Sequence, residues 1–450
     1  MKSRLPIVVR FLSWLGVACL GMDASAVGPA GLTRLHQAVI SSDIDQLREA
    51  IQAGEDVNAR TDYGVTPLAI ACASGDEASV DALLAAGGDP NAELTGGVTC
   101  LMRASRAGNV DVVTQLIRQG AGINKVQRNG QTALMFAAVE GHESVVNCLV
   151  EHGADVQKTV DAGFTAMHVA ARQGHIATVM RLIDAGIDVR AEMSPKRTSG
   201  RNPRDGMTAL MLAVESGHFE LAMRLIDRGA DPNEQSSGYT PLHAISWVRR
   251  AQLGDNPAGD PEPSGSGILT SLQFVEAIVE AGADVNAPLR RGRSGRARLN
   301  HRGATPLIMA CHTLDVALVD LLLRLGADPT VTNHDGTTAL LAAAGIGVVN
   351  PTDGYPGTFE ELETIWTRLA ELGLDIAVVD NNGETAMHGA AYRNWPEAVA
   401  LVGTSGVKPS VWNRKNEYGW TPLMIAQGHR PGSFKPDPPT MAAIHQWLGD

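Results

Sequence analysis

Ten cations stand in two short stretches of this chain that hold no acid. Residues 193–204 carry Lys196, Arg197, Arg201 and Arg204, and residues 289–302 carry Arg290, Arg291, Arg293, Arg296, Arg298 and Arg302. In a chain of formal charge −12 this segregation is the sharpest chemical signal on offer. A guanidinium presents a planar fork of donors that matches the oxygens of a carboxylate, phosphate or sulfate. Two readings are open. Either the stretches bind an anionic ligand or an acidic protein surface, or they are solvated loops tethered by the acidic chain around them.

Nothing else reads as catalytic machinery. The sequence lacks GxxxxGK[ST], GxSxG, HExxH and CxxCH. His142-Glu143 opens like a zinc-protease helix, but Val146 stands where a second ligand is needed, and Gly265-Ser266-Gly267 lacks the third glycine of a dinucleotide loop. Beyond Cys19, the cysteines Cys72, Cys100, Cys148 and Cys311 are widely spaced, so neither a zinc site nor a disulfide framework can be read from them. No cofactor or metal is implied, and the expectation is a protein that is not an enzyme.

The elements that must carry the cations are set by a repeat. A threonine followed one residue later by Leu or Met recurs at Thr33, Thr66, Thr99, Thr132 and Thr165, at a period of 33. It continues with insertions at Thr208, Thr240, Thr305, Thr338, Thr385 and Thr421, which predicts eleven repeats. In the fourth, Asn129-Gly130-Gln131-Thr132 reads as a turn in which Gly130 supplies a positive φ and Thr132 caps a helix. Leu134, Ala137 and Ala138 line one face of that helix. Gly141-His142 ends it, a second helix carries Val145 to Val150, and Gly153 closes the pair.

These residues resemble the ankyrin repeat. The nearest matches are Tyr239-Thr240-Pro241-Leu242-His243, residues 161–175, Gly229-Ala230-Asp231-Pro232-Asn233 and Gly282-Ala283-Asp284-Val285-Asn286-Ala287. The resemblance implies an all-α repeat solenoid of stacked helix–turn–helix units with β-hairpin fingers. A lone pair of such short helices cannot bury its apolar face, so neighbours must supply the core. Some repeats depart from the pattern: Cys100 replaces the usual Pro, Gly122 the usual Asp, and the Thr385 repeat lacks the Gly-His turn.

The predicted organisation is a signal peptide at 1–26, an N-terminal capping repeat at 27–60 and regular repeats at 61–191. A basic finger insertion follows at 192–204, then repeats at 205–288 with a flexible insertion at 251–267. The Arg-rich finger occupies 289–302, further repeats split by an insertion at 346–358 occupy 303–412, and a capping repeat ends the chain at 413–450. Insertions 193–204 and 289–302 fall in fingers, with one repeat between them. Insertions 251–267, 346–358 and 430–440 fall between the two helices of a repeat and read as flexible loops.

The histidines His36, His168, His243 and His388, and His142, His175, His218 and His429 after the turn glycine, are expected to serve scaffold hydrogen bonds. Cys72, Cys148 and Cys311 are expected to be buried small hydrophobes. Trp366, Trp395, Trp412, Trp420 and Trp447 crowd the C-terminal repeats, where they either seal the stack or form an aromatic contact patch.

Composition agrees with a folded chain. Hydrophobic residues at 44% exclude wholesale disorder, and the negative charge excludes coating of nucleic acid over the whole surface, so no specific nucleic-acid binding is expected. Beyond the N-terminus the longest apolar run, 339–349, is too short to span a bilayer. Lys2, Arg4 and Arg10, the apolar stretch 11–22 and Ala24-Ser25-Ala26 match a signal peptide cleaved after Ala26. A retained anchor, too short to span at 12 residues interrupted by Gly16, and acylation at Cys19, with Gly16 where a large aliphatic is expected, are the weaker alternatives.

The resemblance implies a protein partner bound along the concave face and the fingers, through the finger tips, among them Asp62, Tyr63, Arg128, Asn129, Asp161 and Ala162, and through the variable pair before the turn, among them Arg106, Ala107, Val139, Glu140, Arg172, Gln173, Glu215 and Ser216. The expected protein is an exported monomer of a bacterium, periplasmic or secreted, binding a partner of acidic or anionic surface. An anion-binding receptor or enzyme built on the Arg fingers, and a secreted effector acting on host proteins, are the alternatives.

Overall fold

The computed structural model describes residues 31–196, 205–250, 263–292, 299–348, 357–430 and 435–448. The expected signal peptide at 1–26 lies outside them. The chain divides into two compact units, Met1–Ala213 and Val214–Asp450, and the division falls inside the helix Ala209–Glu215. Among the described residues the regular structure is helical.

Every one of the eleven threonines precedes a helix. In the first unit helix pairs follow one another: Arg34–Ile40 with Ile44–Gln52, Pro67–Ser74 with Glu77–Ala85, Cys100–Ala107 with Val110–Arg118, Ala133–Glu140 with Glu143–Glu151, and Ala166–Gln173 with Ile176–Asp184. The second unit holds Phe219–Asp227, Pro241–Arg249 with Ser271–Glu280, Pro306–His312 with Val316–Arg324, and Ala339–Ala344 with Phe359–Glu371. Ala386–Arg393 with Pro396–Gly403, the short Pro409–Trp412, and Pro422–Ala426 with Pro438–Leu448 complete it.

The threonines begin these helices for a physical reason. Nine of the hydroxyls accept the backbone N–H three residues on, at 3.2–3.4 Å, satisfying a donor that the first turn leaves bare. Such a cap contributes about 1 kcal/mol. At Thr165 and Thr385 the hydroxyl instead meets a histidine ring nitrogen at 2.9 Å.

Nine residues past the threonine the chain must reverse with φ positive. Gly75, Gly108, Gly141, Gly174 and Gly217 do so. At the same position the three non-glycine residues of positive φ, Ser42, Leu314 and Asn394, take the left-handed conformation at φ 52°, 54° and 54°. The missing Gly-His turn of the Thr385 repeat is thereby filled by Asn394, and the turn is kept.

The next residue starts the second helix in one of two ways. Asp43, Asp76, Asn109 and Asp315 cap it directly. His142 and His175 give no such cap; their Nε2 atoms instead bond the carbonyls of Arg106 and Val139 in the preceding repeat, each at 2.9 Å.

Repeats are laced together at a second level by amides. Asn58, Asn91 and Asn124 each donate to a glycine carbonyl of the following repeat and accept its backbone N–H, and Asn233 and Asn286 do the same in the second unit. Gly122, where Asp is usual, costs this ladder nothing, because its backbone N–H reaches Asn91 at 2.9 Å.

Within each unit the cores fill from neighbouring repeats. Leu68, Ala71, Val80 and Leu83 are fully buried in the first unit; Leu307, Ala310, Val319 and Leu340 are in the second. Each Leu or Val so buried contributes about 1.5–3 kcal/mol. At the C-terminal end Trp412 and Trp366 are buried, and Trp447 packs so closely on Gly403 that no Cβ would fit. Trp395 and Trp420 are half-buried.

Candidate functional site

Each finger is a tight turn rather than a long hairpin. The residue five before the threonine donates its N–H to the carbonyl one before it: Thr61 to Val65, Leu94 to Val98, Gln127 to Gln131, Asn333 to Thr337, Asp380 to Glu384 and Asn416 to Trp420, at 2.9–3.2 Å. The only bridges among the described residues are Glu93 with Thr99 and Glu192 with Thr208. A glycine N–H also returns to the first residue's carbonyl in each, as Gly64 does to Thr61, so the expected β-hairpin fingers are reduced to short loops closed by two bonds.

The first basic insertion is closed at its base by Met193, which donates its N–H to Met207 O and accepts from Gly206 N on its carbonyl. Gly163 lies so close to the backbone of Ser194 and Pro195 that no Cβ could stand there, so the insertion rests on the neighbouring finger. Lys196 is not a free cation: its Nζ lies 2.6 Å from Asp161 Oδ1, with both side chains about three-quarters exposed (74% and 75%). An ion pair so solvated contributes little. Arg197, Arg201 and Arg204 lie outside the described residues.

The second insertion is anchored more firmly. Leu289 donates to the Ala304 carbonyl at 2.9 Å and accepts from Gly303 at 2.7 Å. Arg290 and Arg291 both donate their N–H to Gly238 O, and Arg291 Nη2 reaches Ser236 O at 3.2 Å. On the far side, Asn300 donates to Asp335 at 2.8 Å, and His334 N donates to Arg302 O at 2.9 Å. Leu289 and Leu299 are buried, whereas Arg290, Arg291 and Arg302 are exposed. Arg290 and Arg302 are thus exposed on a fixed base, and exposed Arg291 is held by its bond to Ser236. Arg293, Arg296 and Arg298 lie outside the described residues.

The other sequence-nominated positions do not converge on one pocket. Arg106 and Glu140, one repeat apart, pair with each other at 3.3 Å on an open surface. Gln173 is exposed and Arg172 half-buried. Glu215 accepts from the Tyr239 hydroxyl at 2.6 Å. Tyr63 is 56% exposed at its finger tip, and Asn129 is held by Gln127 Oε1 at 2.9 Å.

The histidines fall in line with a scaffold role. His36, His168, His243 and His388 are buried, with Nδ1 against the capping threonine and Nε2 on a carbonyl oxygen at or beside the following finger. Burial lowers His168, His243 and His388 to about 4. His429 is the departure, being exposed.

Sequence reasoning missed a buried polar cluster in the second unit. Glu384, 3% exposed, accepts from Tyr392 Oη at 2.7 Å and Asn416 Nδ2 at 3.1 Å. Asp380 accepts from the Thr337 hydroxyl at 3.3 Å and from the backbone of Asn382 and Glu384. Burial pushes Glu384 up to about 7 and Asp380 up to about 6. The available signal was Glu384 itself, since the residue before the threonine is uncharged in every other repeat. Two arginines also went unread. Arg249 clasps Asp315 at 2.7 and 3.1 Å, and Arg393, 4% exposed, donates to the carbonyls of Ala343 and His312.

No group of three or more His, Cys, Asp or Glu that could hold a metal ion occurs among the described residues. Nor is any described helix long and apolar enough to cross a membrane.

Comparison with known proteins places this geometry. A family profile described as "Ankyrin repeats (3 copies)" matches residues 101–193 and 194–251, "Ankyrin repeats (many copies)" matches 35–84, and "Ankyrin repeat" matches 302–334; together they span more than half of the chain. The ankyrin repeat and LEM domain-containing protein 1 homolog of Caenorhabditis elegans is 37% identical over 82 residues, 18% of this chain. That match spans only 10% of the worm protein's length. The crystal structure of the human ASB11 ankyrin repeat domain aligns with a TM-score of 0.44 at 21% identity, covering 59% of this chain and 100% of that one.

Proposed function

The chain belongs to the ankyrin-repeat family, and from that premise we propose that it is an exported, non-enzymatic scaffold that binds a protein partner of acidic surface. Its main contact is the Arg-rich finger at 289–302. The observation that carries this reading is a contrast within the chain. Turn, cap and core residues are consumed in holding repeats together, whereas Arg290, Arg291 and Arg302 stand exposed on an insertion with a fixed base.

A specific interface requires about 800 Å² from each partner, more than one finger can offer. Glu215 in the same unit and, separately in the first unit, Tyr63, Arg106, Asn129, Glu140, Arg172 and Gln173 are the further contact positions that the repeat pattern nominates. In the first unit Arg197, Arg201 and Arg204 carry positive charge of the same kind, while Lys196 there is paired with Asp161. Export is supported by the basic, apolar and small-residue order of residues 1–26.

The test is affinity capture from a bacterial envelope fraction, using the full chain beside a variant with Arg290, Arg291, Arg293 and Arg296 all changed to Glu. A partner captured by the first and lost by the second supports the finger as the site. A partner retained by both moves the site to the remaining positions and refutes this assignment.

A further inference from the structure

The variable pair before the turn, seven and eight residues past each capping threonine, is treated oppositely in different repeats. In the first unit none of these residues is buried; Arg106, Glu140 and Gln173 are exposed and Arg172 is half-buried. In the Thr305, Thr338 and Thr385 repeats of the second unit the same positions hold His312 and Thr313, Gly345 and Ile346, and Tyr392 and Arg393. All six are buried.

The cover comes from the chain's own insertions. Gly347 lies so close to the backbone of Leu299 that no Cβ could stand there, so the described start of insertion 346–358 meets the described end of the Arg-rich stretch 289–302. At the other end of the same insertion Gly357 packs on the Leu314 side chain, in the turn of the Thr305 repeat. A Cβ on Gly345 would collide with the Gly389 carbonyl and the Arg393 side chain of the Thr385 repeat. Ile346 and Val348 donate back to Leu341 O and Gly345 O, each at 3.1 Å, so this segment is rooted in its own helix and meets its neighbours by packing. Leu299, Ile346 and Val348 are buried in the contact.

Beneath lies a cation held without an acid. Arg393 Nε and Nη2 donate to the Ala343 carbonyl at 3.3 and 3.1 Å, and Nη2 reaches the His312 carbonyl at 3.5 Å. Its guanidinium stands 5.0 Å from the centre of the Trp395 ring, and among the described residues no carboxylate pairs with it. A charge-assisted fork to a carboxylate is stronger than bonds to neutral carbonyls, so an acidic group reaching Arg393 would be the better partner.

We propose that Leu299 and residues 346–348 form an autoinhibitory strap over the contact positions of these three repeats, closing Arg393 to an acidic partner until the strap is displaced. The inference rests on the acidic-partner reading for its consequence, and adds a second face that opens after the Arg-rich finger has been engaged. A surface competent only in the open state binds more weakly in proportion to how rarely that state is populated. Releasing the strap therefore tightens binding without adding a contact.

The test uses the full chain, with poly-L-glutamate as the acidic probe and diethyl pyrocarbonate, read by mass spectrometry, as the reporter of cover. Gly347→Ala drives a Cβ into the Leu299 backbone, and Leu299→Ser weakens the contact from the other side. In the native chain His312 should stay unlabelled while the exposed His152 and His445 react. In both variants His312 should become labelled, with His152 unchanged. Poly-L-glutamate should bind both variants roughly five-fold more tightly than the native chain, and adding Arg393→Gln to Gly347→Ala should remove that gain.

The strap is overturned if His312 is labelled in the native chain, stays protected in both variants, or is uncovered with no gain in binding. A gain that survives Arg393→Gln refutes the role of Arg393. Loss of native circular dichroism in both variants would show core packing instead of a displaceable cover, and refutes the strap equally. Binding of the probe by the native chain, lost when Arg290, Arg291, Arg293 and Arg296 become Glu, reports the finger alone. Its absence would count against the acidic-partner reading, whereas the gain on opening tests the strap.

Discussion

His243 Nε2 lies 3.0 Å from the carbonyl oxygen of Ala304, in the finger that leads into the next repeat. Its Nδ1 sits 2.7 Å from the hydroxyl of its own capping threonine, Thr240, and accepts that residue's N–H at 3.2 Å. A neutral ring with the proton on Nε2 satisfies all of these contacts, so one imidazole fastens a helix start to the adjacent repeat. A protonated ring would lose the acceptor at Nδ1.

Acid should therefore loosen the stack. His168, His243 and His388 are held at about 4, below the ordinary 6.5. The stability they contribute is complete above pH 6.5 and is lost as pH falls towards 4, at most roughly 3 kcal/mol for each ring. Urea midpoints at pH 7.5 and 4.5 measure this. His168→Gln should lower the midpoint at pH 7.5 and flatten the acid loss.

Glu384 carries the opposite sign. Its carboxyl faces Tyr392, Asn416, Asp380 and Glu417, with no cation among them, and is raised to about 7 from 4.5. Its contribution is present below pH 4.5 and lost as pH rises through 7. Glu384→Gln should stabilise the protein by about 2–3 kcal/mol at pH 8 and by little at pH 4.5. Urea unfolding at the two pH values checks it.

The left-handed turn positions divide by burial. Ser42 is exposed at φ 52°, so Ser42→Gly relieves backbone strain at little loss and should gain about 0.5–1 kcal/mol. Leu314 shares the conformation but is 1% exposed. Leu314→Gly should therefore cost about 2–3 kcal/mol, because lost burial outweighs the relief. Thermal midpoints of the two variants should move in opposite directions.

The Arg249–Asp315 pair spans the insertion at 251–267. Arg249 ends one helix, donates to Ser271 at the start of the next at 2.7 Å, and binds Asp315 in the following repeat. The side chains are 15% and 2% exposed, and Asp315 also caps Val316–Arg324. Asp315→Ala should cost about 3–5 kcal/mol, since it leaves a nearly buried guanidinium without its partner. Chemical denaturation monitored by circular dichroism measures the loss.

Helix starts and turns were legible because threonine caps and left-handed glycines are local devices, set by the few residues around them. Even where the glycine was missing, at Asn394, the stacking of neighbours imposed the same turn. The Asp380–Glu384 cluster was not legible, because burying an acid there depends on Thr337 and Asn416 arriving from fingers on either side. Arg249 and Asp315 are separated by an insertion whose length hides the pairing. At the candidate site, the cations of the Arg-rich finger could be read directly. That Lys196 and Arg106 already hold acidic neighbours could not, since both partners come from adjacent repeats.

The most direct test of the partner-binding account is the Kd for the captured partner as a function of ionic strength, for the native chain and the variant with four Arg→Glu changes. The account predicts about tenfold weaker binding of the native chain between 50 and 300 mM salt, as charge pairing is screened, and a variant weaker than native at every salt with little salt dependence of its own. Equal affinities for the two chains, with the same response to salt, would contradict it.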